Sequence, residues 1–251
     1  MLKAITVFVK LHILAPIPGA FLFISSLFLP TTLNDVKYDT EYPLAIPTAD
    51  GSSQAVHPDI VSGVQGAPAY VLACTPYPFS MDQFENPSIL VSKDGLRFSE
   101  ERKGLNPLEP APAIDHNDDP DIHYADGRWT ILYLETMRPK AQNLVLLEST
   151  DRVTWSKRVA YTVDLTQKKD FILSPSYIER DGRKYLFMVN SSAEPYRVEY
   201  ADVTDGIDAA SMSARTEIPL SLGKATQPWH VDVLNGDDAY YMLLCAVTRE
   251  P

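Results

Sequence analysis

Four short polar signatures carry most of the chemistry open to this chain: His57-Pro58-Asp59, Asp119-Pro120-Asp121, Ser174-Pro175-Ser176 and His230-Val231-Asp232. Carboxylates and imidazoles are the side chains that move protons, hold cations or hydrogen-bond polar ligands near neutral pH. The densest stretch is Asp115-His116-Asn117-Asp118-Asp119-Pro120-Asp121. So many neighbouring acids cannot all be buried and ionised without large pKa shifts, so they must divide between solvent and a pocket. Asp115 and Asp118 read equally well as an acidic surface loop, whereas Asp119 and Asp121 fall on one face of a strand. A second cluster comprises Tyr77, Asp82, Glu85 and Asn86, and a third sets Trp229 beside His230. Flat aromatic faces next to hydroxyl acceptors suit a sugar, although core packing explains Tyr77 and Phe79 as well. Glu135 and Arg138 fall just past an apolar strand, where a pocket rim would lie.

The signatures recur at spacings of 55 to 62 residues, which is the mark of a repeat architecture. Each leads through a turn into an apolar strand, over residues 70–74, 129–134, 184–189 and 240–247. Two of the turns contain Asp126-Gly127 and Asp181-Gly182, and a third contains Asn235-Gly236. Such pairs between apolar runs signal hairpins. Third strands follow over 87–92, 144–149 and 196–201, and a fourth over 156–163. Repeated units of four antiparallel strands make the blades of an all-β propeller. A sandwich is the rival, but it offers no reason for the same edge of every unit to be polar. In a propeller the first strands converge on the axis, so His57, His116 and His230 would meet the acids in one central pocket. About three and a half blades are visible over residues 31–251, and the last stops one hairpin in.

All 33 acids lie after residue 30, whereas Lys3 and Lys10 precede a nearly uncharged run over residues 11–29. A net charge of −11 repels phosphate backbones and argues against a nucleic-acid partner. Residues 1–30 read as an export signal or signal anchor, with a buried strand pair as the alternative. The expected protein is secreted or displayed at the cell surface, and it touches a membrane only through that segment if uncleaved. Cys74 and Cys245 end apolar strands of non-adjacent blades, too far apart to bridge, and read as small buried hydrophobes.

The signature Asp119-Pro120-Asp121-Ile122 followed by Asp126-Gly127-Arg128-Trp129, with His57-Pro58-Asp59-Ile60, resembles the five-bladed propellers of glycoside hydrolase families 43, 32 and 68 over about residues 50–251. The strings Cys74-Thr75-Pro76-Tyr77-Pro78, Glu85-Asn86-Pro87 and His116-Asn117-Asp118 are similar to a group of family-43-like propellers of bacteria and phages. The resemblance implies an oligo- or polysaccharide partner and three carboxylates: a general base, a pKa-tuning Asp and a Glu acid. Asp119 matches the tuning Asp. The base position holds His57, with Asp59 two residues on as a substitute. The acid position holds Leu173, leaving His230 or Glu85 as the acid. Tyr77, Glu85, Asn86, His57, His116, Asp121, Glu135, Arg138, Trp229 and Asp232 would then contact the sugar. The resemblance requires no cofactor. Relatives often hold a calcium ion near the axis, but calcium prefers oxygen ligands and the imidazoles here leave its presence open. Two functions follow, a glycoside hydrolase of unusual constellation and a non-catalytic carbohydrate-binding propeller, with a sugar-free scaffold as the third.

Overall fold

The computed structural model describes residues 44, 46–167, 171–222, 226–236 and 239–248, together with the backbone of one strand near the N-terminus. That strand is β1 (Ala4–Leu11). Of the export segment expected over residues 1–30, residues 1–3 and 12–30 lie outside the described residues. No helix among the described residues is long and apolar enough to cross a membrane.

Four antiparallel sheets follow one another along the chain. The first holds β2 (Ala55–Ser62), β3 (Tyr70–Pro76) and β4 (Ser88–Ser92). The second is the hairpin ladder β5 (His116–Ala125), β6 (Arg128–Met137), β7 (Ala141–Ser149) and β8 (Ser156–Asp164). The third runs β9 (Ile172–Arg180), β10 (Arg183–Asn190), β11 (Arg197–Asp202) and the short β12 (Thr216–Ile218). The fourth pairs β13 (Thr226–Asn235) with β14 (Tyr240–Thr248), and β1 adds to the outer edge of β14. This is the expected propeller, with blades of two patterns: the first has three strands plus the lone bridge Val91–Ser99, and the middle two have four.

The core sits between blades, as radial packing requires. Trp129, Ile131 and Tyr133 pack with Val71 and Ile89 across the first junction. Leu132, Leu144, Leu186 and Met188 fill the second. Phe187 and Val189 meet Val231 and Met242 in the third. The inward alternation of β6 and β10 thus serves two junctions at once, because a middle blade is buried on both faces. The Asp-Gly turns do what their type demands: Asp126 and Gly127, like Asp181 and Gly182, take positive φ, the conformation of a tight hairpin turn.

The inner strands β2, β5, β9 and β13 carry the four signatures, and side chains stitch each to the next. Asp59 accepts from the Ile122 amide at 2.6 Å, Asp121 from the Tyr177 amide at 3.0 Å, and the Ser176 hydroxyl from the Val233 amide at 2.9 Å. Two residues earlier, in the second and third signatures, the pattern repeats. Asp119 accepts from the Ser174 amide at 2.7 Å, and the Ser174 hydroxyl from the Val231 amide at 3.0 Å. These are the polar residues that make the repeated edge legible in the sequence, and they satisfy backbone donors that a twisted inner strand would otherwise leave unpaired.

Candidate functional site

Every inner strand breaks register at its signature, between Val56 and Asp59, Asp118 and Asp121, Leu173 and Ser176, and Pro228 and His230. A bulge re-aims the side chains it carries. In the first three blades the residue before proline adopts left-handed backbone: φ is 51° at His57, 50° at Asp119 and 52° at Ser174. Non-glycine residues take that conformation only where the surroundings hold them in it, and such positions cluster at functional sites. The consequence is that His57, Asp119 and His230, from three blades, meet at the axis in a cavity of about 270 Å³.

The Asp119 carboxylate is the hub. Its Oδ1 lies 3.3 Å from His57 Nε2 and 3.4 Å from His230 Nδ1. No hydrogen bond of acceptable geometry reaches that buried oxygen. The two rings stand 4.8 Å apart between centroids, tilted by 47°. Behind His57, Nδ1 lies 3.1 Å from Glu85 Oε2 and 3.3 Å from the Thr75 hydroxyl, which donates to the same Glu85 oxygen. Burial opposes charge on His57, but the negative charges of Asp119 and Glu85 outweigh it and lift its pKa to about 9. Burial also opposes charge on Asp119, yet His57 and His230 hold its carboxyl below the usual range. His230 moves down, because its burial and the neighbouring His57 outweigh the pull of Asp119.

Further along the same strands lies a second ring: Asp59, Asp121, Ser176 and Asp232. Both Asp59 oxygens accept backbone amides, from Ile60 at 2.7 Å and Ile122 at 2.6 Å. Burial and the charge of Asp232 push its pKa up to about 7. Asp121 is pushed well above the carboxylate range by burial and by Asp59 and Asp232. Burial raises Asp232 too, and the Ser176 hydroxyl donates to it at 3.2 Å. The crowded acids do not divide between solvent and pocket as expected: Asp118, Asp119 and Asp121 are all buried and Asp115 is half-buried, and the crowding is relieved instead by the neighbouring imidazoles at Asp119 and by pKa values pushed upward at Asp118 and Asp121.

The remaining candidates fall into three places. Asp115 and Asp118 are not a loose surface loop. His116 lies 2.6 Å from Asp115 and 3.2 Å from Asp118, and Arg138 clamps Asp115 and Asp82 at the rim. Burial works against charge on His116, but Asp118, Glu85 and Asp115 carry its pKa to about 9. Asp82, Asp115 and His116 could also present ligand atoms to a cation, but the guanidinium of Arg138 already takes that role. Asn86 ties loops together, donating to Glu109 O and accepting from Asn117. Glu135 is held by Asn143 and Lys157 on the outer strands, away from the axis. Tyr77 borders Glu85 and Asp82, whose charges add to burial in raising its phenol pKa. Trp229 is exposed beside His230. Both cysteines are free as expected, but Cys245 is only half-buried and lines the central cavity. Thr75, Ser174 and Ser176 belong to the site as well, through the bonds to Glu85, to Asp119 and to Asp232, and Ser174 and Ser176 occupy the repeated positions that signal the others.

No protein-family model matches the chain, and no curated protein does. Solved structures do. An N-acetylgalactosamine deacetylase from F. plautii, in complex with blood group B trisaccharide, superposes with a TM-score of 0.67 at 21% identity, covering 80% of this chain and 66% of that one. A family-32 β-fructofuranosidase from Bombyx mori in complex with sucrose gives 0.51 at 18%, covering 71% and 44%. A family-43 enzyme from Xanthomonas citri complexed with xylose gives 0.52 at 13%, covering 75% and 65%. The chain therefore spans two thirds or less of the length of these neighbours. Its fold is that of the family-43 and family-32 propeller enzymes.

Proposed function

We propose that the chain is a carbohydrate-acting hydrolase whose centre holds a divalent cation between His57, Asp119 and His230 and removes an acyl group from a sugar. The observation that carries this is Asp119 Oδ1, a buried carboxylate oxygen without a hydrogen bond, facing two imidazole nitrogens at 3.3 and 3.4 Å. A buried charged oxygen without a hydrogen bond is costly, and a cation that displaces the His57 proton at the meeting point would be held by all three ligand atoms. Donors about 2.0–2.2 Å from one ion in tetrahedral array stand about 3.4 Å apart. Two imidazoles and one carboxylate suit zinc, manganese or iron, whereas the calcium implied by the family resemblance prefers oxygen throughout. A cation bound there would polarise a carbonyl and lower the pKa of a water.

The chain's own residues divide the remaining work. Glu85 accepts from His57 Nδ1, which turns the Nε2 lone pair toward the cation and strengthens it as a ligand. Thr75 holds Glu85, and the Ser174 amide fixes the second oxygen of Asp119. Glycosidic cleavage, expected on the family resemblance, needs two carboxylates flanking the bond. Asp59 has both oxygens engaged by backbone amides, whereas the Asp119 oxygen that faces the two imidazoles has no hydrogen bond. That contrast, together with the acyl-removing activity in the name of the F. plautii neighbour, favours acyl removal. The basic and apolar segment over residues 1–30 supports an exported protein that meets its glycan outside the cell, and the pairing of Ala4–Leu11 with β14 favours a segment that stays uncleaved.

The test is hydrolysis by the purified full chain supplied with Zn²⁺ or Mn²⁺, on a panel of N- and O-acetylated sugars. Acetate release that stops with chelator and with Asp119→Asn is expected. New reducing ends without acetate would restore the glycosidase reading. Glycan binding without either product would make the protein a non-catalytic propeller.

A further inference from the structure

Resting on the reading of this centre as carbohydrate-acting, we infer that Trp229 is the platform for a second sugar, so that the ligand is an oligosaccharide rather than a free monosaccharide. Trp229 is the unpaired residue of the β13 bulge: Pro228 faces Ala246, His230 faces Cys245, and Trp229 faces neither. The bulge that turns His230 toward Asp119 therefore sets the indole beside it. The indole and the His230 ring are near-perpendicular, 85° between planes and 5.9 Å between centroids.

Tyr196, from the loop between β10 and β11, stacks on the indole at 5.9 Å and 21°. This backing fixes the ring's tilt before any ligand arrives, so little side-chain freedom is lost on binding. Tyr196 thereby backs one indole face, and the residue as a whole remains 38% exposed. Nothing in the blade's packing asks for this. The third junction is filled by Val231, Val233, Met242 and Leu244 from this blade, without Trp229. A structural tryptophan in this protein looks like Trp129, which is 1% exposed and sealed inside the first junction. A half-exposed aromatic backed by a second ring, next to a residue that lines the central cavity, is matched by the flat apolar face of a pyranose. Because the indole borders a ring of the centre itself, a sugar stacked on it lies next to the sugar at His57, Asp119 and His230. The two positions are those of adjoining units in one chain.

The experiment compares the wild-type full chain, Trp229→Ala and Trp229→Phe on a printed array of neutral and N-acetylated mono-, di- and trisaccharides, including blood group B trisaccharide. Thermal melts establish that each variant is folded. The expected result is wild-type binding that favours di- or trisaccharides over their terminal monosaccharide. Trp229→Ala should lose about tenfold on the longer glycans and nothing on the monosaccharide, with Trp229→Phe in between. The platform is overturned if Trp229→Ala binds longer glycans like the wild type, if it weakens mono- and oligosaccharides equally, or if the wild type shows no preference for length. A wild type that binds no glycan at all overturns the carbohydrate reading as well, which separates that failure from failure of the platform alone.

Discussion

Replacing Glu85 by Gln isolates the part of the account that is least obvious from the centre itself. Glu85 touches neither Asp119 nor His230 in the proposed ligand set. It is buried, accepts from the Thr75 hydroxyl at 3.3 Å, and faces His57 Nδ1 at 3.1 Å. Gln conserves size and leaves an acceptor for Nδ1–H, but removes the charge that strengthens His57 as a ligand. Changes to such outer partners typically cost 10–100-fold in cation affinity, about 1.4–2.7 kcal/mol. Glu85 also contributes to holding the His57 pKa at about 9, so the variant should titrate at lower pH. Competition of Zn²⁺ between the protein and a chromophoric chelator gives the affinity, and histidine ring NMR gives the titration. Wild-type cation affinity in a folded Glu85→Gln protein would refute the idea that Glu85 supports the centre through His57. A fall in affinity with no fall in the His57 pKa would place the effect in packing instead.

Two further outcomes follow from the same geometry. His116 titrates near pH 9 in the folded protein against 6.5 for the free side chain. Its stabilisation is therefore complete below about pH 6.5 and lost as pH rises through about 9, an effect on the order of 2 kcal/mol after solvent screening at the Arg138 rim. Urea titrations from pH 6 to 10 should show that decline flattened in His116→Gln, and an unchanged slope would count against the network with Asp115 and Asp118. Ser176→Ala removes the acceptor of the buried Val233 amide and the donor to Asp232, which should cost about 1–3 kcal/mol by urea unfolding. A loss below half a kcal/mol would mean that the stitch between the third and fourth blades is dispensable.

The propeller was legible because its inner strands are constrained twice. Asp59, Asp121, Ser176 and Asp232 must each be polar to stitch neighbouring blades or complete the inner ring, and the residues two before them must bulge toward the axis. Both requirements leave residues at fixed offsets in every repeat. The Asp-Gly turns were legible for the same reason, since few residues tolerate their backbone. The division of labour within the site was hidden. Alternation along an ideal strand makes Asp59 and Asp119 look interchangeable as proton-transfer groups. The left-handed residue and the slip in register set His57 and Asp119 at the meeting point, while Asp59 falls in the inner ring with both oxygens engaged. The partnership of His57 with Glu85 spans 28 residues and arises only when the loop after β3 folds back over β2. The burial of Asp118 depends on Thr136 across the ladder as well as on His116 two residues before it, and the contact with Thr136 is one that no local pattern encodes. The third strand of the last blade was equally hidden, because β1 comes from the opposite end of the chain.

Anomalous X-ray scattering from crystals of the full chain grown with Zn²⁺ tests the central claim most directly. The account predicts one strong peak enclosed by His57 Nε2, Asp119 Oδ1 and His230 Nδ1, lost in Asp119→Asn. A zinc-soaked crystal with no density between those three atoms, or with the ion held by Asp82, Asp115 and His116 instead, would contradict it.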